Sequence, residues 1–87
     1  MLGDFVGQTV VVDLSSPYVC LGTLVQFDEH YLLLRNADLH DLRDSDTSRE
    51  NYIAASQATG IKRNRKRVLI ARREVVAVSR FDDVVAD

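Results

Sequence analysis

The sequence predicts a mostly β protein: a small, strongly bent five-stranded antiparallel barrel, with a short N-terminal turn or helix and a helix inserted between strands 3 and 4. Three observations predict it. The first 39 residues hold three runs rich in aliphatic and β-branched side chains, separated by short polar turns. Two shorter apolar runs follow near the C-terminus, split by a two-residue turn. Between the two groups lies a polar stretch bounded by helix start and stop signals.

Each element has its own warrant. Thr9 to Leu14, TVVVDL, is β-branched and reads as the first strand. Ser15-Ser16-Pro17-Tyr18 is a turn in which proline fixes φ. Val19 to Phe27, VCLGTLVQF, is a longer strand, and Gly22 within it marks a sharp bend or bulge. Asp28-Glu29-His30 makes a tight connection to the third strand, Tyr31 to Asn36, which has the composition to run on to Leu39. Short turns between these strands dictate antiparallel pairing as a meander. Asp38 to Asp46 is acidic. Thr47-Ser48-Arg49-Glu50 then has the S/T-x-x-E form of a capping box, which predicts Thr47 as the cap of a helix over Ser48–Thr59. Gly60 stands where that helix stops. Its apolar stripe of Tyr52, Ile53, Ala55 and Ala58 predicts light packing. Arg67 to Arg72, RVLIAR, is the fourth strand, and its unbroken Val68–Ala71 run predicts burial on both faces. Val75 to Ser79 is the fifth, and Phe81 to Asp87 is a short extra strand or a frayed end.

Length and composition narrow the class. Eighty-seven residues suit one domain, residues 1–87, with the helical insertion at about 41–66. A chain this short has a thin core, so a partner subunit would help it. No apolar run approaches the ~20 residues that span a bilayer, and the N-terminus lacks the pattern of a secretory signal, so the expected compartment is the cytoplasm and no membrane partner is expected. The single cysteine, Cys20, lies in an apolar run and reads as a buried, inert thiol. Seven of the twelve residues from Lys62 to Arg73 are basic, although the formal net charge is −2. Such a cluster is either a handle for a polyanion or a solvated loop offset by the Asp38–Glu50 acids.

The stretch Gly22-Thr23-Leu24-Val25-Gln26-Phe27-Asp28 resembles the G-x-L-x-x-F-D signature of the first Sm motif, found in the Sm and Sm-like RNA-binding proteins. Val68-Leu69-Ile70, a turn, and Val75 to Ser79 look like the strand pair of the second motif. Phe27 to Asn36, FDEHYLLLRN, also aligns without a gap to the matching strand pair of the bacterial RNA chaperone Hfq. The resemblance covers about residues 5–39 and 67–80. It implies a homo-oligomeric ring closed through strands 4 and 5, mostly of six or seven subunits with five left open, and single-stranded RNA bound in pockets around the pore. It further implies that His30 stacks on a base and that Asp28 holds the loop in shape through hydrogen bonds. Two reading positions depart from the pattern: Leu32 stands where the family has asparagine, and Ala71-Arg72 where it has Arg-Gly.

The candidate RNA-binding set is therefore His30 and Asp28, Tyr31 beside them, the basic residues Lys62, Arg63, Arg65, Lys66 and Arg67, and Arg72. Imidazole and phenol rings stack on unpaired bases, and clustered cations bind phosphate without reading sequence. Each has a plainer role beside this one. His30 suits a polar turn, Tyr31 a packed strand start, and Arg72 an ion pair across a subunit contact. Asp44-Ser45-Asp46 with Glu50 lacks the glycine and distal glutamate of a calcium loop and reads as helix-capping and solvated charge. No glycine-rich phosphate loop, supported Ser-His-Asp set or metal-ligand spacing is present, so neither an enzyme nor a cofactor or metal is expected. Two readings stay open: a ring that binds U- or A-rich single strands, and a structural or protein-interaction ring that has lost the RNA pocket.

Overall fold

The computed structural model describes residues 1–44 and 46–85. Its strands are β1 (Thr9–Leu14), β2 (Tyr18–Phe27), β3 (Tyr31–Asp41), β4 (Arg65–Ala71) and β5 (Val75–Arg80), with one helix, α1 (Arg49–Thr59), between β3 and β4. All pair antiparallel in a single sheet of order β4-β3-β2-β1-β5. Short turns make β1, β2 and β3 neighbours, as connections of that length must. β4 returns beside β3 and β5 beside β1, so the sheet curls into a barrel left open between β4 and β5.

The curl has a local cause. At Gly22 the β2–β3 register shifts between Leu21 and Thr23. A Cβ on Gly22 would stand 3.0 Å from the Ala37 Cβ and 3.1 Å from the Arg35 carbonyl oxygen. Only glycine lets the strands approach this closely. Opposite it Asn36 adopts a left-handed φ of 50°, which asparagine tolerates better than branched residues. Two residues thus face one, the arrangement of a bulge, and the strand bends there.

Alternation along the strands builds two apolar clusters. Val10, Val12, Leu14, Cys20, Leu24, Leu32, Leu34, Ala37 and Ile70 fill the barrel, and the N-terminal 3-10 turn Leu2–Phe5 packs Leu2 and Phe5 against them. On the outer face, Val11, Val19 and Leu21 meet Ile53 of α1, with Tyr52, Ile61, Phe81 and Val84 around them. The inserted helix is therefore a second cover for β1 and β2. The tail after β5 is a 3-10 turn, Phe81–Asp83, tied down by the Gln57 amide, which donates to the carbonyls of Phe81 and Val84 at 2.8 and 3.1 Å. Ala86 and Asp87, the last of the tail, lie outside the described residues. Among the described residues no helix is long and apolar enough to cross a membrane.

Four sequence expectations need correction. The helix cap is Ser48, whose hydroxyl accepts the Asn51 amide at 3.1 Å, so the helix begins one residue later than predicted from Thr47. Its packed face is Tyr52, Ile53 and Ser56, while Ala55 and Ala58 are exposed. The Ser56 hydroxyl is satisfied within the helix, donating to the Tyr52 carbonyl at 3.1 Å, which is why it tolerates burial. β4 is buried on one face only: Ile70 is 6% exposed but Leu69 is 60% exposed, because nothing in the same chain covers the outer side of this edge strand. Finally, β3 runs on to Asp41 and β4 begins at Arg65, two residues before the predicted start at Arg67, so Arg65 and Lys66 belong to the strand rather than to the segment before it.

Candidate nucleic-acid interface

The β2–β3 connection is a tight turn organised by one carboxylate. Asp28 Oδ1 accepts the backbone N–H groups of His30 at 2.7 Å and Tyr31 at 2.8 Å. These bonds hold the Asp28 carboxyl below its ordinary 3.8, because two amide donors favour the charged form. The turn is clamped from the β4–β5 connection. The Arg72 amide donates to the His30 carbonyl at 2.8 Å, its guanidinium donates to the Asp28 carbonyl at 2.6 Å, and the guanidinium carbon lies 5.6 Å from the centre of the Phe27 ring. Arg72 is thus spent on shaping the turn. His30 is left exposed.

Tyr31 is 47% exposed and faces Ala71 across the β3–β4 ladder, so it is not the packed strand start that its position suggested. Glu29, His30, Tyr31, Ala71 and Arg73 line a recess of about 280 Å³. Arg73 was not singled out from the sequence, although it completes the Arg72-Arg73 doublet of the basic segment. Leu32 is 1% exposed and belongs to the barrel core, so it offers the recess no hydrogen-bonding group.

The remaining basic residues lie elsewhere. From Arg65 to Ala71, β4 spans about 20 Å at the usual strand rise. Lys62, Arg63, Arg65, Lys66 and Arg67 sit at or before its start, and the His30 recess at its end. The structure therefore splits the candidate set into two groups at opposite ends of one strand. Asn64 fixes the basic group: its side-chain amide donates to the Leu39 carbonyl and its oxygen accepts the Leu39 N–H, both at 3.0 Å, while its own N–H donates to the Ala37 carbonyl at 2.9 Å. Shallow hollows beside it are lined by Asn36, Arg63, Asn64, Arg65, Lys66 and Arg67.

The register adds a residue that the linear sequence hides. Arg35 pairs directly with Arg67, and both are exposed. Like charges opposite one another repel, so an anion placed between them is favoured. Arg35 lies thirty-two positions from Arg67 in sequence, and only pairing brings it into the cluster.

Among the described residues, no acid of the insertion forms an ion pair with this group. Asp41 pairs with Arg43 at 2.8 Å, and Asp38 is buried and accepts the Tyr52 hydroxyl. Arg49 pairs with Asp13 at 3.3 Å. Among the described residues, none of the five basic candidates at the start of β4 has an ion-pair partner. Cys20 is fully buried, and desolvation pushes its thiol up to about 12, which leaves it inert. No group of three His, Cys, Asp or Glu side chains among the described residues is placed to hold a metal ion. The Asp44-Ser45-Asp46 reading rests on Ser45, which lies outside the described residues.

No family model matches the chain, and no curated protein matches it in sequence. Solved structures do match its fold. The Pyrococcus abyssii Sm protein, in complex with a uridine heptamer, superposes with a TM-score of 0.62 at 17% identity, over 91% of this chain and 90% of that one. A heptameric archaeal Sm protein gives 0.61 at 25% identity, over 91% and 93%. A chain of the NatC complex bound to CoA gives 0.58 at 25%, over 90% and 80%. The chain has an Sm-like fold.

Proposed function

We propose that residues 1–87 form one Sm-like unit that assembles into a homo-oligomeric ring and binds single-stranded RNA without catalysing a reaction. The observation that carries this reading is the His30 turn. Asp28 and Arg72 together hold it rigid by four hydrogen bonds and leave the imidazole exposed beside Tyr31. A pre-shaped turn that presents a free ring is what stacking on an unpaired base requires. The basic group at the start of β4 supplies phosphate attraction, multiplied by the number of copies. Six or seven subunits are expected, and the archaeal neighbour is a heptamer. Leu32 and Ala71 provide no base-reading groups, so the ring binds with little sequence preference between U- and A-rich strands.

Fluorescent oligo(U) and oligo(A) titrations at low and moderate salt test this. Binding below the micromolar range that weakens with salt and is weaker still in His30→Ala supports it, and absence of binding to both oligomers rejects it. A second reading is a protein-interaction subunit that keeps the fold and not the pocket. It is favoured by Leu32 and Ala71 at the reading positions and by the likeness to a chain of the NatC complex. A high 260/280 absorbance ratio in the purified protein, abolished by nuclease, would count against it.

A further inference from the structure

The start of β4 and the turn that follows β5, the two borders of the open side, carry opposite charge. β4 opens with Arg65, Lys66 and Arg67, all exposed. β5 runs into the Phe81–Asp83 turn, which carries Asp82 and Asp83. Beside β5 lies a groove of about 460 Å³, lined along the strand by Val78 and Ser79 and elsewhere by Glu50 and Asp83. Its two arginines are engaged within the chain: Arg49 with Asp13 at 3.3 Å, and Arg80 turned over Phe5 with its guanidinium carbon 5.8 Å from the ring centre. Glu50, Asp82 and Asp83 have no ion-pair partner among the described residues. The start of β4 is therefore basic, and the end of β5 is acidic on balance, because Glu50, Asp82 and Asp83 outnumber the one unpaired cation there, Arg80.

Strand direction brings these charges together. If β4 of one copy adds antiparallel to β5 of another, the start of β4 lies beside the end of β5. Parallel addition would leave the basic and acidic groups a strand length apart, about 20 Å. Charge therefore favours one direction of docking and penalises the other.

We propose that Asp82 and Asp83 of each copy meet Arg65 and Arg67 of the next copy, forming an ionic seam that orients the contact. The basic cluster then has two duties. Its strand part closes the assembly, and Lys62, Arg63 and Arg35 remain for phosphate. The inference rests on the ring reading above. It also accounts for a chain of net charge −2 that carries so dense a basic segment, because the opposing charge belongs to the neighbouring copy.

Sedimentation of the full chain and its charge-reversed variants tests the seam. Asp82→Lys with Asp83→Lys, and separately Arg65→Glu with Arg67→Glu, should each weaken self-association about tenfold near 0.1 M salt. Raising salt to about 0.5 M should weaken the unaltered chain and narrow that difference. Mixing the two variants should restore association, since each then supplies the charge the other lacks. All four positions are exposed, and circular dichroism checks that both variants fold. The proposal is overturned if the unaltered chain assembles and both variants assemble equally well, or if mixing restores nothing. An unaltered chain that stays a monomer at every concentration is a different result, and it removes the ring reading itself.

Discussion

At the scale of single residues, two positions do most to shape the candidate site. Gly22 is fixed by space: a methyl group there meets Ala37 and the Arg35 carbonyl at 3.0–3.1 Å, and both belong to the paired strand. Gly22→Ala should destabilise the fold by about 1–3 kcal/mol, measured by thermal or urea unfolding. Ala37→Gly in the same chain should recover part of the loss. Asp28 acts through charge. Its folded pKa lies below the ordinary 3.8 because the His30 and Tyr31 amides bond the carboxylate. A depressed pKa means that the bonds' contribution is fully present above 3.8 and is lost as pH falls through the lower, folded value. The His30 and Tyr31 amide resonances should therefore titrate with a midpoint below 3.8. In Asp28→Asn that titration should vanish. The role of Asp28 was legible through the resemblance of Gly22–Asp28 to the first Sm motif, which implies a carboxylate that shapes the loop. Arg72 as its clamp was not, since Arg72 reaches Asp28 across forty-four positions.

At the scale of elements, α1 is the feature that the Sm motifs do not supply. It places Ile53, 4% exposed, against Val11, Val19 and Leu21 on the outside of the sheet. Ile53→Ala should cost about 2–4 kcal/mol, read as a lowered urea midpoint. Ser48→Ala, which removes only the cap, should cost about 1 kcal/mol. The helix was legible from its polar stretch and from Gly60, but its face was not. A periodic stripe of Tyr52, Ile53, Ala55 and Ala58 names candidates for burial, and the sheet beneath selects among them, here taking Ser56 and leaving both later alanines in water. The strands were legible to within a few residues, because alternation and turn chemistry act locally. The outer exposure of Leu69 was not, because an apolar run looks the same whether its second face meets its own chain or another. Arg35 was hidden for a related reason. Its neighbour Arg67 is set by pairing register, which no local pattern encodes.

At the scale of the whole molecule, the candidate site is two groups joined by β4, and they should behave differently. Lys62→Gln with Arg63→Gln should lower the slope of log affinity against log salt by about 1.4 for each copy that contacts the strand, at roughly 0.7 for each phosphate contact. His30→Ala should weaken binding with the slope unchanged, because stacking releases no counterions. Paired titrations across a salt series separate the two. The open side of the barrel carries a further consequence. Its borders, β4 and β5, are joined by only three residues, Arg72–Glu74. That short connector, together with the pairing of β4 on β3 and of β5 on β1, holds the borders at a set angle, much as the bevel of a stave decides how many staves complete a cask. A rotation of about 60° per copy completes six and about 51° completes seven. The difference is only about 9°, so lengthening the connector by one residue should alter the number of copies in the proposed circle while leaving each copy's interior as it is.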